Sequence, residues 1–480
     1  MKRREFLCGA AVVAGSAAAG RRLAWAGPSA ETVQARLVLD PTRTVAVIPP
    51  DFMGLGYEIS SVARPGLLSR ENMAYVQLVR TLGAQGIIRI GGNTSDYSRY
   101  APTAPAVSSP ENGPPSVVND AVLRDLRAFL EATGWKLIWG LNLGRGTKQE
   151  AIDEARAVLA ATRPNLVAFE IGNEPDLFAH REIHRKKGYG YEDFLREYRE
   201  FRDALRKEFP GIPFAGPDAA IATVWVSDFA RDEGTDIKLL THHYYREGQN
   251  PTSSIEKLLR VDPKLAPMLA QLSAASKSSG LPYRICETNS FSGGGKPGVS
   301  DAFAASLWVL SFMYVLASAG CAGVNMETGV NQLGFISSYS PIGDDEHGHY
   351  TATPEYYGML AFAQGGKGRG FGCQLETGGR NLEAYGTQPA DDRMAVTLIY
   401  KESGPDVLVS VEGAGAFKRA SVVRLTGPSL ESTIGVRLGG TEVSPSGEWR
   451  PATAEEVKVE GGKMAVRVPA ASAVVVTLRT

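Results

Sequence analysis

Two glutamates carry the strongest chemical signal in this sequence. Glu174 lies in Phe169-Glu170-Ile171-Gly172-Asn173-Glu174-Pro175, just beyond an apolar stretch with no structural need of a carboxylate there. Glu287 ends Tyr283-Arg284-Ile285-Cys286-Glu287-Thr288 in the same way. Two carboxyl groups converging on one pocket can divide labour, one protonated to donate to a leaving oxygen and one ionised to attack carbon. At a separation of ~5 to 5.5 Å, that pair is the machinery of retaining glycoside hydrolysis. Glu174 is then the expected acid/base, its pKa raised by burial and by an ionised Glu287, and Glu287 the expected nucleophile. Asn173, beside the acid, is expected to meet the sugar 2-hydroxyl. A lone glutamate would more often cap a helix or pair with an arginine; two at matching strand ends favour the pair.

The elements that must position them follow one repeated pattern. Short apolar strands are predicted at 52–58, 86–91, 136–142, 166–172, 213–218, 237–243, 283–287 and 321–327. Amphipathic helices are predicted at 71–82, 120–132, 149–161, 191–209, 254–276 and 300–319. Alternation of this kind means a parallel sheet with helices outside it, and eight strands close a (β/α)8 TIM barrel over about residues 50–370. Reactive groups of a barrel sit at the C-terminal strand ends, which places Glu174 on strand four and Glu287 on strand seven at one height. The Pro- and Ser-rich segment 101–116 is expected to cross the barrel mouth.

Other strand ends are polar too: Arg89-Ile90-Gly91-Gly92-Asn93, Gly140-Leu141-Asn142, Gly216-Pro217-Asp218 and His242-His243-Tyr244-Tyr245. Arg89 inside a barrel needs an anionic partner, either the catalytic carboxylates or a purely structural acid. His242 and Tyr244 are expected to orient Glu287, or else to satisfy each other in the core. Adjacent histidines without a matching carboxylate cluster give no metal signal, so neither metal nor cofactor is expected. Beyond about Phe371 the pattern becomes short alternating strands, the mark of an antiparallel β-sandwich over 371–480. The stretches 35–39 and 45–48, within 27–49, are expected to pair into it and make that domain discontinuous.

Hydrophobic residues form 43% and charged residues 21% of the 480, a balance suited to a substantial core. Met1–Ala26 reads as a twin-arginine-type leader, with Arg3-Arg4-Glu5-Phe6-Leu7, an apolar stretch Cys8–Gly20 and the cleavage site Ala24-Trp25-Ala26. That stretch is too short to span a bilayer of ~30 Å, so an exported, periplasmic or secreted protein free of the membrane is expected. Lys2, Arg3, Arg4, Arg21 and Arg22 against Glu5 give the leader +4, so its removal from a chain of formal charge −1 leaves about −5. That balance argues against a nucleic-acid partner. Cys286, Cys321 and Cys373 are too few and too scattered for a disulfide framework or a zinc site.

From Phe52 to Ala363 the motifs resemble glycoside hydrolase family 79, the heparanases and microbial β-glucuronidases. The resemblance runs through Arg89-Ile-Gly-Gly, Gly172-Asn-Glu-Pro, Gly216-Pro-Asp, His242-His-Tyr-Tyr and Glu287-Thr-Asn-Ser-Phe-Ser-Gly-Gly-Gly, then Ser300-Asp-Ala-Phe-Ala-Ala. It implies that Glu58 and Asn93 contact sugar hydroxyls and that Gly293 and Gly294 offer backbone N–H groups to a uronate carboxylate. Ser292 stands where heparanases carry a tyrosine, and Tyr339 resembles the family's second carboxylate-binding tyrosine. The implied activity is exo-acting hydrolysis of β-linked glucuronic acid, or its 4-O-methyl form, on a glycan or glycoconjugate. The competing readings are an endo-acting heparanase-like enzyme, a β-glycosidase for neutral sugars if Ser292 abolishes carboxylate recognition, and a catalytically inactive carbohydrate-binding barrel.

Overall fold

The computed structural model describes residues 32–110, 113–329, 337–345, 347–415, 417–452 and 455–480. The segment read as a leader lies outside them. Eight parallel strands form one sheet: Met53–Glu58, Ile87–Gly91, Lys136–Leu141, Leu166–Ile171, Ala215–Ala219, Leu239–Gly248, Tyr283–Ser292 and Val324–Glu327, called barrel strands one to eight. Strand one pairs with both two and eight, and the open edge between four and five is bridged at Phe169 and Phe214. The ring is thereby closed, with the Phe169 N–H donating to the Pro213 carbonyl (2.9 Å).

Strands two and seven are buried along almost their whole length, as central strands covered by helices must be. Each strand is followed by helix. Two of these escape an amphipathic search. Thr223–Glu233 is short, and Pro354–Gly365 is apolar on every side because it is wedged between the barrel and the second domain, with Tyr356, Met359, Leu360 and Phe362 all buried. The single helix expected over 254–276 is two, Ile255–Leu259 and Leu265–Ser279. The break falls at Asp262-Pro263, where proline denies an N–H and steers the preceding residue away from helical angles.

The second domain is a ten-stranded sheet. Val33–Ile48 enters it from the N-terminal side, antiparallel to Gly368–Glu376 and parallel to Val407–Glu412, so one pairing departs from the antiparallel expectation. The sheet is hydrogen-bonded along one continuous path, and its inward residues, among them Leu37, Val396, Val409 and Val476, enclose their own core. Its other face joins the barrel core through Ile399, Leu425, Ala473 and Val475. Tyr314 stacks on Tyr385 (centroids 4.5 Å apart) and shares a hydrogen bond with Thr397 (2.7 Å), fixing helix Phe303–Ser318 to the sheet.

The barrel also buries an acid that does not line the cavity described below. Glu154, 3% exposed, accepts from the indole N–H of Trp139 (2.8 Å), and burial pushes its pKa up to about 7. A carboxyl whose folded-state pKa is raised contributes stability that is complete below the ordinary value of 4.5 and is lost as pH rises toward 7. Glu154→Gln keeps the acceptor for Trp139 and removes the titration. Thermal unfolding of this variant should lose about 2 kcal/mol less than the parent between about pH 5 and 8. A parallel decline in both proteins would reject the assignment.

Candidate active site

A cavity of about 980 Å3 opens at the C-terminal ends of the barrel strands. Glu174 and Glu287 both line it, and one carboxylate oxygen of each, with one His243 ring nitrogen, fall within 4.8 Å of one another. Glu174 holds a left-handed backbone (φ 52°), an uncommon state for a side chain of its kind, as does Asp218 (φ 60°). The two are tied together, the Glu174 N–H donating to the Asp218 carbonyl (3.0 Å). Asp96 clamps the same loop from behind, accepting from the backbone N–H groups of Leu143, Gly144 and Asn173 and so joining the loops after strands two, three and four.

Arg89 is the hub beneath the pair. Fully buried, it donates from Nε to Glu170 (3.0 Å), from one terminal nitrogen to Glu287 (2.8 Å), and from the other to Asn173 (2.8 Å) and Asp218 (2.5 Å). Arg89 therefore contacts both kinds of partner left open for it, Glu287 at the cavity and the buried acids Glu170 and Asp218. The glycines after it make room: a Cβ on Gly91 would sit 2.6 Å from the guanidinium carbon, and one on Gly92 would strike the Glu58 carboxyl. His243 bridges the other side, its Nδ1 at 2.9 Å from Glu174 and its Nε2 at 2.8 Å from Asp218. Burial alone would keep that imidazole neutral, but the charges of Asp218 and Glu287 and its hydrogen bonds to Asp218 and Glu174 outweigh it and raise its pKa well above the usual value. Tyr245 donates to Glu287 Oε1 (3.1 Å).

Burial is the main cause that raises the Glu174 pKa, opposed by the His243 bond and reinforced by the charge of Glu287. Burial against Arg89 and His243 has the opposite outcome at Asp218, whose carboxyl is held below the usual range by those two cations. One acid is thus biased toward its protonated form and its neighbour toward the ionised one.

The expectation that His242 and Tyr244 orient Glu287 is corrected by one residue of phase. Both line the cavity, but the Tyr244 hydroxyl donates to Asp262 (2.8 Å) and His242 Nδ1 meets the His243 carbonyl. Side chains alternate along a strand, and the register slips at Asp218 and at Cys286, leaving His243 and Tyr245 facing the carboxylates. Asn173 is held from behind, its Oδ1 accepting from Arg89 and its Nδ2 donating to Asn93 (3.1 Å), and it is not among the residues that line the cavity. Glu58 and Asn93 do line the cavity, Glu58 accepting from the N–H groups of Asn93 (3.0 Å) and Thr94 (2.7 Å); burial and then the Glu287 charge push its pKa up to about 7. Ser292, Gly293 and Tyr339 are on the wall. Gly294 is not, its carbonyl accepting from the Ser338 N–H (2.5 Å).

Sequence reasoning left Glu170, Asp218, His243, Tyr245 and Glu327 out of the site. Glu170 had a signal, since a lone arginine and a lone glutamate at the centres of apolar strands two and four are natural partners. The three groups Glu174, His243 and Glu287 are close enough to hold a cation, but the atoms that would ligate it are those already engaged with one another and with Arg89.

Residues 381–475 match the glycosyl hydrolase family 79 C-terminal beta domain. A β-glucuronidase of Aspergillus niger is 28% identical over 349 residues, 65% of this chain and 62% of that protein. A heparanase of Bos taurus is 28% identical over 267 residues, 49% of this chain and 44% of that one. The chain thus spans less than two thirds of the length of these curated relatives. The solved structure of a 4-O-α-L-rhamnosyl-β-D-glucuronidase from Fusarium oxysporum superposes with a TM-score of 0.73 at 18% identity, covering 93% of this chain and 100% of that one, a likeness of fold.

Proposed function

We propose, from the premise that the chain belongs to glycoside hydrolase family 79, that it hydrolyses β-glucuronides by double displacement, with Glu287 as nucleophile and Glu174 as acid/base. The observation that carries this reading is the convergence of the two carboxylates, oxygen to oxygen within 4.8 Å, across one cavity. A nearest approach of this order supports direct attack by Glu287 over the wider placement, ~6.5 to 9.5 Å between carboxyl groups, of an inverting mechanism.

Protonated Glu174 donates to the glycosidic oxygen as Glu287 attacks the anomeric carbon; the leaving alcohol departs and a glycosyl ester forms. Water entering from the vacated side then gives its proton to Glu174 and its oxygen to the anomeric carbon, and the ester to Glu287 breaks. Arg89 and Tyr245 hold Glu287 at fixed angle, and the His243 cation stabilises Glu174 when it is ionised in the second half of the cycle. The wall formed by Ser292, Gly293 and Tyr339 supports recognition of the uronate carboxylate carried on C5, through backbone and hydroxyl donors rather than a cationic side chain. Exo action on glycans ending in β-linked glucuronic acid, and export by the leader Met1–Ala26, complete the proposal.

The test is a panel of aryl β-glycosides sharing one aglycone. Release from the β-D-glucuronide and not from the β-D-glucoside or β-D-xyloside is expected. Equal or faster release from the neutral sugars would reject the uronate assignment.

A further inference from the structure

The backbone that carries Glu174 is left-handed on both sides of Asn173, at Gly172 (φ 85°) and at Glu174 itself (φ 52°). A residue with a long side chain keeps such a conformation only where its surroundings over-determine it. Two contacts do so here. The Glu174 N–H is held by the Asp218 carbonyl (3.0 Å), and the Asn173 N–H, one residue earlier, by Oδ2 of Asp96 (3.0 Å).

Asp96 lies in the tight turn Asn93–Tyr97 after strand two. It is 1% exposed and is not among the residues that line the cavity, so it reaches the chemistry only through another group. Its Oδ1 accepts from the N–H groups of Leu143 (3.0 Å) and Gly144 (2.7 Å), on the loop after strand three. Three donors thus converge on two oxygens, a demand that a carboxylate meets and an amide, with one acceptor oxygen, does not. The close approach depends on a glycine, since a Cβ on Gly144 would sit 2.6 Å from the Cβ of Asp96. Arg89 bonds to Asn173 and Glu287 alike, so disturbing it affects both halves of the catalytic pair. The bonds of Asp96 lead toward Glu174 and not toward Glu287.

Resting on the reading of Glu174 as acid/base and going beyond it, we infer that Asp96 is a positioning residue for proton transfer, aiming the Glu174 carboxyl at the glycosidic oxygen by fixing the backbone just before it. A misplacement of about 1 Å caused by a residue outside the chemistry can cost about 10^2-fold in rate. With Glu287 left in place, that loss falls on the leaving groups that need a proton.

The experiment uses phenyl and 2,4-dinitrophenyl β-D-glucuronides, which share one sugar and differ in how much protonation the departing oxygen requires. On each substrate, kcat/KM of Asp96→Asn, Gly144→Ala and Glu174→Ala is divided by that of the parent. Asp96→Asn keeps the shape of the side chain and turns an N–H2 group against one of the backbone donors. It should lower the phenyl value about 10^2-fold and the dinitrophenyl value about threefold or less, the pattern expected of Glu174→Ala. Gly144→Ala disturbs the same contact with the carboxylate intact. It should show the pattern more weakly, and it carries the test if Asp96→Asn does not fold. Equal losses on both substrates, or none on either, would overturn the inference, because a merely structural role lowers both alike. Leaving-group dependence in Glu174→Ala but not in Asp96→Asn rejects the positioning role alone. Its absence in Glu174→Ala ends the acid/base reading, and the positioning role with it. Should β-xylosides be turned over and no β-glucuronide, the uronate reading fails by itself, and the same ratio on phenyl and dinitrophenyl xylosides decides the role of Asp96.

Discussion

Replacing Glu287 by alanine should lower kcat on an aryl β-D-glucuronide by about 10^4-fold or more, and azide should restore turnover with inversion at the anomeric carbon. The substitution removes the attacking oxygen and leaves a hole on the α face of the sugar. Azide fits it, attacks C1 while Glu174 still protonates the leaving oxygen, and yields the α-glucuronyl azide. Glu174→Ala should behave differently. With an activated aryl leaving group the first displacement needs little protonation, so substantial turnover survives, whereas a disaccharide substrate should lose about 10^3-fold. Here azide intercepts the ester on Glu287 and gives the β-azide. Product stereochemistry therefore separates the two roles without reference to absolute rate, and near-parental activity of either variant on a disaccharide would remove the mechanism.

The second large effect is expected at Arg89. Its guanidinium makes four side-chain contacts at once, to Glu170, Glu287, Asn173 and Asp218, all buried. Arg89→Met leaves three carboxyl groups together without their principal cation. Removing one partner of a buried ion pair costs about 3 to 5 kcal/mol, and the acids respond by taking up protons. Proton uptake at Glu287 would silence the nucleophile, so kcat should fall about 10^2 to 10^3-fold together with a lowered thermal midpoint. Arg89→Lys keeps the charge but has no fork, and a single ammonium cannot serve acceptors at the ends of strands four, five and seven. It should recover part of the stability and little of the rate. Kinetics and thermal unfolding of the two variants check this, and an Arg89→Met protein with both values unchanged would show the hub to be dispensable.

The barrel was legible because its strands are buried on both faces and read as apolar runs cut by polar ends. Glu174 and Glu287 were legible for the same reason: a carboxylate just past an apolar run has no place in the core. The phase of strand six was not. Whether His242 or His243 meets the carboxylates depends on register slips at Asp218 and Cys286, which a sequence of alternating polar residues does not reveal. Helix Pro354–Gly365 stayed hidden because burial on all sides erases the period by which a helix is recognised. The contacts of Asn173 were not legible either, because its neighbour Glu174 is in the cavity while its own amide oxygen is turned toward Arg89.

The most direct measurement is proton NMR of the anomer first released from an aryl β-D-glucuronide, taken before mutarotation. Direct attack by Glu287 followed by water on the same face predicts β-glucuronic acid first, with the α-anomer growing in later. The α-anomer appearing first would contradict the account, since it would require a single displacement by water and so a different use of the two glutamates.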